Sequence, residues 1–362
     1  MSFRWTETLK PSLAARTRQG SWDRIEKARE GGWLLLSGKG DGDGVHWYRM
    51  PDEDSEPVLL NPLEDARLPA VTEAMARWLR RDHRVQLLAW RVGSRAIFRI
   101  RGRNKEWISK LYRRDRQLPE RWTVLTSAAG AGWRVPRVLD WDPALRMLSF
   151  SFCRGRSLNH GWVRGEGMPS DGDRVAQLLE WLSTTRPPPG FPTHGAEDET
   201  RLLGERLETF EQVLDHPPSL ARDLMGAVSE ALRNDPPKPP SLCHRDFHDK
   251  QVLIDGSSGS LIDLDLAAAG PPALDPGNIL AHLRLRALKG AKLPWREIAE
   301  RIAGPCVRTR GVQNSIHRWT AASLLRLALI YARRRRPADL IDNLLSSTEQ
   351  ALGRTGEWRG IL

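Results

Sequence analysis

The chain has 362 residues, 28% of them charged and 40% hydrophobic, and a formal net charge of +11 at pH 7. This length predicts two lobes or domains rather than one minimal core, and the composition excludes an intrinsically disordered chain. No apolar run reaches the roughly 18 residues of a membrane span, and three dispersed cysteines match neither a disulfide framework nor a zinc site, which favours a reducing cytoplasm.

The positive charge is concentrated in the C-terminal part of the chain. Residues 266–362 contain 16 Arg or Lys and 7 Asp or Glu, a surplus of +9, so the rest of the chain carries only +2. A basic face is usually solvated, and charge alone does not indicate a nucleic acid as partner. We therefore expect neither a nucleic acid nor a membrane partner.

The first 80 residues are predicted to form an extension made of a hairpin and a helix. Residues 33–36 and 45–48 have the composition of strands, and the segment between them is rich in Asp and Gly. That segment lacks both the Lys-Ser/Thr of a phosphate loop and the ligand spacing of a calcium loop, so it is interpreted as a hairpin turn. Residues 68–80 follow with helical periodicity.

The chain then alternates between strands and one helix as far as Phe152. The predicted strands are 85–90, 96–100, 107–112 and 147–152. A helix is predicted at 119–129, stopped by glycines. After Phe152 helices dominate, at 174–183, 199–214, 219–234, 315–335 and 338–352, separated by proline-rich breaks.

The chemistry is concentrated after residue 242. Apolar segments 252–255 and 260–264 flank a Gly-Ser-Ser-Gly turn and predict a hairpin. If Asp255 faces Gly259, then Gln251 faces Asp263, and a shift of one residue leaves these two diagonal. Asp246 lies on the loop that leads into the same end, so we expect a cluster of Asp246, Gln251 and Asp263, whose hard oxygen ligands suit Mg²⁺.

The same residues also permit other interpretations. Asp246 could cap a turn, and Asp263 could be a solvated strand end. His244, Asp246 and His248 could hold a catalytic metal, but that site needs further strong ligands, and the remaining histidines are dispersed. His244 itself is interpreted as a buried, hydrogen-bonded scaffold residue.

Several segments resemble one family. His244-Arg245-Asp246, with Gln251 five positions later, resembles the catalytic loop of protein kinases and, more closely, of the aminoglycoside phosphotransferase/choline kinase superfamily. Residues 262–265 look like its metal-binding strand, and residues 274–280 look like the structural segment that follows. Further matches lie upstream, at strand residue Lys110 with Glu120 as its candidate partner, and at segments 135–139 and 152–158 before and at the interlobe hinge.

The resemblance covers roughly residues 85–285 and implies an α+β, protein-kinase-like two-lobed fold. A small antiparallel-sheet N-lobe at 81–153 would bind the nucleotide. A larger helical C-lobe at 154–362 would hold the catalytic loop and the acceptor site. Residues 1–80 lie outside the resemblance.

The resemblance also implies ATP and Mg²⁺ as cofactors and a small-molecule acceptor that is phosphorylated on a hydroxyl. Asp246 would orient the acceptor hydroxyl and is the candidate base, while Asp263 would bind Mg²⁺ with help from Gln251. Asp265 is interpreted either as a further metal ligand or as a structural cap. The nucleotide would be contacted by Lys110 (held by Glu120), by the turn at Gly93 and Ser94, and by backbone groups near Ser151 and Cys153.

Two departures from the family keep an alternative open. Gln251 stands where the family has Asn, and the nucleotide-covering turn has one glycine rather than a glycine-rich run. These features would suit a pseudokinase that acts as a nucleotide-binding or scaffolding module. A true protein kinase is disfavoured because no Asp-Phe-Gly or Ala-Pro-Glu segment follows Asp263.

The charge distribution also bears on the acceptor. Five basic residues cluster just after Asp275: Arg284, Arg286, Lys289, Lys292 and Arg296. The superfamily's enzymes for polycationic aminoglycosides line the acceptor site with carboxylates, because opposite charge must replace lost hydration. We therefore expect a sugar-like or other hydroxylated, non-cationic acceptor.

Overall fold

The computed structural model describes residues 22–27, 33–37, 46–50, 58–114, 133–187, 189–213, 219–256, 258–310, 312–332 and 339–353. In these parts of the chain no helix is both long and apolar enough to cross a membrane.

The N-terminal extension contains a four-stranded antiparallel sheet in the order β1-β2-β3-β4. Its strands are β1 (Trp22–Lys27), β2 (Trp33–Ser37), β3 (His46–Met50) and β4 (Val58–Leu60). The predicted hairpin is confirmed by the pairing of β2 with β3, in which Ser37 lies opposite His46. The predicted turn between them lies outside the described residues.

A second sheet follows the helix α1 (Ala70–Leu79) and has the antiparallel order β5-β6-β7-β10-β9. Its strands are β5 (Arg84–Arg91), β6 (Arg95–Arg101), β7 (Glu106–Tyr112), β9 (Val138–Asp142) and β10 (Met147–Ser151). Buried and partly exposed residues alternate along β6, as expected for a strand with one covered face. The Trp78 ring of α1 lies 5.4 Å from the Phe98 ring of β6, so the helix packs on this face. The helix predicted at 119–129 lies outside the described residues.

Helices form most of the remaining chain. They are α2 (Leu158–Arg164), α3 (Pro169–Thr184), α4 (Ala196–Val213), α5 (Ser219–Arg233), α6 (Leu274–Leu288), α7 (Trp295–Arg310), α8 (Gln313–Tyr331) and α9 (Asp339–Leu352). The five helices predicted after Phe152 are confirmed, whereas α2, α6 and α7 were not predicted as helices. Their core includes the fully buried rings of Trp162, Phe210, Phe247 and Trp319.

Short strands position the predicted catalytic loop, residues 244–251, between the helices. β12 (Ser241–Cys243) pairs with β15 (Ala268–Gly270), and β11 (Arg156–Ser157) pairs with β13 (Val252–Asp255). β13 forms the predicted hairpin with β14 (Ser258–Leu261), which also pairs with β8 (Trp133–Arg134).

The register of this hairpin corrects the first of the two predicted alignments. Asp255 lies opposite Ser258 rather than Gly259, and the backbone N–H of Ile262 donates to the carbonyl oxygen of Gln251 at 2.9 Å. Gln251 is therefore diagonal to Asp263, as in the alternative register. The connection between the strands is only two residues long, and its Gly256 has φ +59°. A two-residue connection of this kind demands positive φ, which glycine adopts without strain.

Candidate active site

The catalytic loop, residues 244–251, is anchored by Asp275 at the start of α6. The Asp275 carboxylate accepts hydrogen bonds from the backbone N–H groups of His244 at 2.6 Å and Arg245 at 2.9 Å. Arg245 has φ +68°, a left-handed conformation that is costly for a side chain of this size. Two charge-assisted hydrogen bonds hold the loop in this conformation.

His244 is fully buried and has the predicted scaffold role. Its Nε2 lies 2.9 Å from the carbonyl oxygen of Ile262, and its Nδ1 lies 3.3 Å from the backbone N–H of Asp246. A neutral ring with its proton on Nε2 satisfies both contacts, since Nε2 then donates and Nδ1 accepts. His244 thus joins the catalytic loop to the segment that carries Asp263.

Asp246 is the accessible carboxylate of this loop. Its side chain is 45% exposed, it lines the interlobe cleft, and its Oδ2 lies 3.7 Å from Nε2 of His248. The Nδ1 of His248 accepts the backbone N–H of Lys250 at 3.1 Å. Within the described residues, no Lys or Arg forms an ion pair with Asp246. Its carboxylate is therefore available to a hydroxyl group in the cleft.

Lys110 joins the two lobes through the aspartates that follow β14. Its Nζ donates to Asp263 Oδ1 at 2.6 Å and to Asp265 Oδ1 at 2.9 Å. The predicted partner Glu120 lies outside the described residues. Asp263 has φ +62°, a strained conformation that accompanies the turn away from β14.

Two further side chains complete this cluster. Arg95 lies opposite Tyr112 across β6 and β7, and Tyr112 shares one face of β7 with Lys110 because side chains alternate along a strand. Arg95 donates to Asp265 Oδ2 at 3.2 Å and lies 3.7 Å from Asp263 Oδ2, while the Tyr112 hydroxyl donates to Asp265 at 3.1 Å. The two carboxylates, Asp263 and Asp265, are therefore matched by two cations, Lys110 and Arg95.

Electrostatics keep Asp263 and Lys110 ionised. Burial favours the neutral acid, but Lys110 and Arg95 outweigh it and hold the pKa of Asp263 well below its usual range. Burial likewise lowers the pKa of Lys110, yet the two carboxylates raise it above its ordinary value. At neutral pH Asp263 is therefore ionised. Its side chain is 18% exposed, and that of Asp265 is 4% exposed.

Gln251 lies beside this cluster without joining it. It is buried, and its amide Nε2 lies 3.4 Å from Nε2 of His248. In the described part of the chain no hydrogen bond links Gln251 to Asp263. The structure therefore brings Lys110, Asp263 and Asp265 into direct contact and leaves Gln251 with the catalytic loop.

The turn at Gly93 and Ser94 connects β5 to β6 at the edge of the cleft. Gly93 has φ +62°, and the backbone N–H of Ser94 donates to the carbonyl oxygen of Arg91 at 2.9 Å. The carboxylate of Asp65, which the sequence did not single out, accepts from the Gly93 N–H at 2.7 Å and from the Trp90 indole at 2.9 Å. The turn is therefore held from the segment that precedes α1.

At the hinge, Ser151 forms two hydrogen bonds with Arg137 inside the N-lobe. The backbone N–H of Ser151 donates to the carbonyl oxygen of Arg137 at 2.8 Å, and the Ser151 hydroxyl accepts from the Arg137 N–H at 2.9 Å. The Ser151 N–H is thus already used, because β9 pairs with β10 up to the hinge. Cys153 is half-buried, and burial raises the pKa of its thiol.

Behind Asp246 lies a polar group that sequence reasoning missed. Asp249 is fully buried and accepts from Arg286 at 2.6 and 3.1 Å and from the Asn159 side chain at 2.8 Å. The rings of His248 and His282 stack at 4.6 Å. The sequence shows that residues 248 and 249 are polar, but their partners on α2 and α6 become known only from the packing of these helices.

The cleft that joins these groups has a volume of about 500 Å³. Its wall includes three carboxylates, Glu199, Asp246 and Asp265, and nine cationic side chains, Arg91, Arg95, Arg113, Arg114, Arg206, Arg245, Lys250, Arg286 and Arg326.

The cleft wall is therefore rich in cations, but only two of the nine, Arg286 and Arg326, come from residues 266–362, where the sequence concentrates its positive charge. Of the five-residue cluster after Asp275 only Arg286 lines the cleft. Arg284 and Arg296 lie over the ring of Trp295 at 5.2 and 4.4 Å, and Lys289 contacts the ring of Tyr331 at 5.6 Å.

Comparison with known proteins gives a family and a fold. A family model described as "Phosphotransferase enzyme family" matches residues 84–292, more than half of the chain. Comparison with curated proteins finds no match.

Several solved structures share the fold. A choline/ethanolamine kinase family protein from Mesorhizobium loti is 17% identical with a TM-score of 0.55, over 81% of this chain and 98% of that one. Choline kinase from Cryptosporidium parvum is 10% identical with a TM-score of 0.54, over 74% and 88%. A spectinomycin phosphotransferase, solved with ADP and spectinomycin, is 12% identical with a TM-score of 0.52, over 76% and 98%. The predicted α+β, protein-kinase-like two-lobed fold is confirmed.

Proposed function

Because this chain belongs to the phosphotransferase enzyme family, within the aminoglycoside phosphotransferase/choline kinase superfamily, we propose that it transfers the γ-phosphate of ATP to a hydroxyl of a small, sugar-like or otherwise non-cationic acceptor. Phosphoryl transfer requires alignment and charge neutralisation more than covalent chemistry from the protein. One observation carries the proposal: Lys110 contacts both Asp263 and Asp265, and Asp265 lines the same cleft as the exposed carboxylate of Asp246.

The residues present fit a magnesium-bound nucleotide. Mg²⁺ prefers oxygen ligands and commonly binds through one or two carboxylates together with phosphates. Asp263 and Asp265 lie two residues apart and share the cationic partners Lys110 and Arg95. Asp263, with Asp265, would hold the metal, which when bound would neutralise phosphate charge.

The N-lobe residues have complementary roles in this proposal. Lys110 and Arg95 would exchange carboxylate contacts for phosphate oxygens, which suit the same cationic groups. The turn at Gly93 and Ser94 would cover the phosphates, and the backbone at Cys153 would contact the adenine. We assign nucleotide binding to residues 81–153 and acceptor binding to residues 154–362.

Asp246 would act on the acceptor. It would accept the hydrogen bond of the acceptor hydroxyl, orient its oxygen and take up its proton as the new ester bond forms. His248, whose Nε2 lies 3.7 Å from Asp246 Oδ2, would keep the carboxylate oriented. A cation-lined cleft disfavours a polycationic acceptor, because approach to like charges costs free energy that the site does not recover.

A screen tests this function against the scaffolding alternative. Hydroxylated metabolites would be incubated with the protein and Mg-ATP, ADP release would be measured, and products would be identified by mass spectrometry. We expect a phosphorylated product with at least one acceptor, and its loss in Asp246→Asn. Binding of Mg-ATP without a product from any acceptor class would instead support the pseudokinase alternative.

A further inference from the structure

We propose that the acceptor carries an anionic group, a carboxylate or a phosphate monoester, and that Arg245 and Arg206 bind this group while the hydroxyl faces Asp246. The inference rests on the proposed function, because it concerns the acceptor of the same transfer. It restricts the class of acceptor from non-cationic molecules in general to negatively charged ones.

Two of the three carboxylates of the cleft wall, Asp265 and Glu199, already have cationic or polar partners, and the third is Asp246 itself. Asp265 is bound by Lys110, Arg95 and Tyr112. Glu199 is buried and contacts Arg326 at 2.9 Å and His194 at 3.0 Å. Burial favours its neutral form, but Arg326 and His194 lower the pKa of Glu199 to about 2, so it is ionised and matched.

Arg245 is not matched in this way. Its terminal nitrogen donates to the carbonyl oxygen of Leu266 at 3.3 Å, and its Nε is buried without a hydrogen-bond partner. No carboxylate of the described residues forms an ion pair with it. Burial and the nearby Arg326 lower the pKa of Arg245 more than the carboxylates of Glu199, Asp198 and Asp275 raise it, so its charge is only partly compensated. An anion in the cleft would supply the missing acceptor oxygens.

The position of Arg245 separates this anion from the nucleotide. Arg95 and Lys110 lie on the N-lobe sheet at the aspartate pair, whereas Arg245 precedes Asp246 and lies among C-lobe residues of the cleft. Arg206 and Arg326 come from helices α4 and α8 on the same side. Arginine binds carboxylate and phosphate groups through paired donors, which suits a ligand anion at a fixed distance from a reacting hydroxyl.

The same wall has an apolar part that suits the rest of such a ligand. It is formed by Leu202, Leu327, Ile330 and Tyr331. A compact carbon skeleton could lie against these side chains, with its anion towards Arg245 and its hydroxyl towards Asp246. A polyamine or amino sugar would place a cation among the arginines.

The test uses the full chain saturated with Mg-ADP and titrated calorimetrically with matched compounds. The sets are glycerol with glycerol 3-phosphate, and glucose with glucuronate, glucose 6-phosphate and glucosamine. We expect at least one acid to bind about tenfold or more tightly than its neutral parent, as a charge-assisted hydrogen bond would give. The carboxylate and phosphate members distinguish the two kinds of anion.

Variants identify the group responsible. Arg245→Gln should reduce the preference for the acid to about twofold or less, Arg245→Lys should restore part of it, and Arg206→Gln provides a second test if Arg245→Gln does not fold. Arg222→Gln removes the same charge from an exposed position paired with Glu211 and should leave the preference unchanged.

The inference would be overturned if the neutral or amino compound bound more tightly than the acid, or if no acid bound at all. It would also be overturned if Arg245→Gln lowered the affinity for the acid and for its neutral parent equally. ADP release from Mg-ATP with the same panel separates it from the proposed function. Phosphorylation of neutral members alone would refute the anionic acceptor and leave the transfer intact. Anion binding at Arg245 without any phosphorylated product would count against the transfer.

Discussion

The carboxylate of Asp65 accepts a 2.7 Å hydrogen bond from the backbone N–H of Gly93, at the turn that covers the predicted phosphate site. The same oxygen accepts from the Trp90 indole at 2.9 Å. A Cβ on Gly93 would lie 3.0 Å from Arg67 Cδ, so the segment before α1 also packs closely on the turn. A chain segment outside the predicted lobes therefore positions the turn that begins β6.

We expect Asp65→Ala to weaken nucleotide binding about three- to tenfold with little change in kcat, because a looser turn costs binding rather than transfer. Steady-state kinetics in ATP would measure this. Glu64→Ala, which removes an exposed neighbouring carboxylate, is the control. An unchanged KM for ATP in Asp65→Ala would contradict the proposed role of the turn.

Asp246→Asn should lower turnover by about 10²–10⁴-fold, because the carboxylate that orients the acceptor and receives its proton is lost. Mg-ATP should still raise the Tm of this variant, since Asp246 faces the acceptor. Residual activity above a few per cent of wild type would show that another group takes the proton.

Asp263→Ala should abolish both turnover and the magnesium-dependent part of ATP binding, because it removes the more exposed oxygen ligand of the aspartate pair. Calorimetry with ATP, with and without Mg²⁺, measures the difference. Lys110→Met should instead weaken ATP binding both with and without Mg²⁺. Asp255→Ala, at an exposed position of the same hairpin, is the control, and equal Mg-ATP affinity in Asp263→Ala would exclude the metal role.

Glu199 should make stability depend on pH in acid. Its pKa is lowered from 4.5 to about 2 in the folded protein, so its stabilising contribution is present above 4.5 and is lost as the pH falls towards 2. The difference in unfolding free energy between wild type and Glu199→Gln should therefore shrink over this interval. Denaturant titrations measure it, with Glu205→Gln, an exposed residue of α4, as the control. A constant difference would mean that Glu199 contributes only packing.

Gly277 and Gly204 should respond oppositely to alanine, although both lie in helices. A Cβ at Gly277 would lie 2.6 Å from the backbone carbon of Trp319, so Gly277→Ala should destabilise the protein by about 1–3 kcal/mol. At Gly204 the nearest atom is 3.9 Å away at the flexible end of Met225, so Gly204→Ala should stabilise by about 0.5–1 kcal/mol. Thermal unfolding of both variants measures this; stabilisation by Gly277→Ala would mean that α6 and α8 separate readily.

Much of the architecture follows from local sequence. Alternation along residues 96–100 predicts a strand because side chains of a strand point to opposite faces, and helical periodicity in residues 219–234 predicts α5 for the corresponding reason. The motif around Asp246 and Asp263 predicts the family, since phosphoryl transfer places few residue types in a fixed order. The sequence left two hairpin registers that differ by one residue, because its composition permits a turn of either length between the strands.

The charge partners were decided by tertiary structure alone. Lys110 and Asp263 are separated by 153 residues, and their 2.6 Å contact exists only because the sheet of one lobe faces the hairpin of the other. Asp65 reaches Gly93 for a similar reason. Regional charge predicted a cation-rich acceptor site, yet of the five basic residues singled out only Arg286 lines the cleft. Sequence determines how many charges a segment carries, but packing determines which of them face a ligand and which are matched by a neighbour.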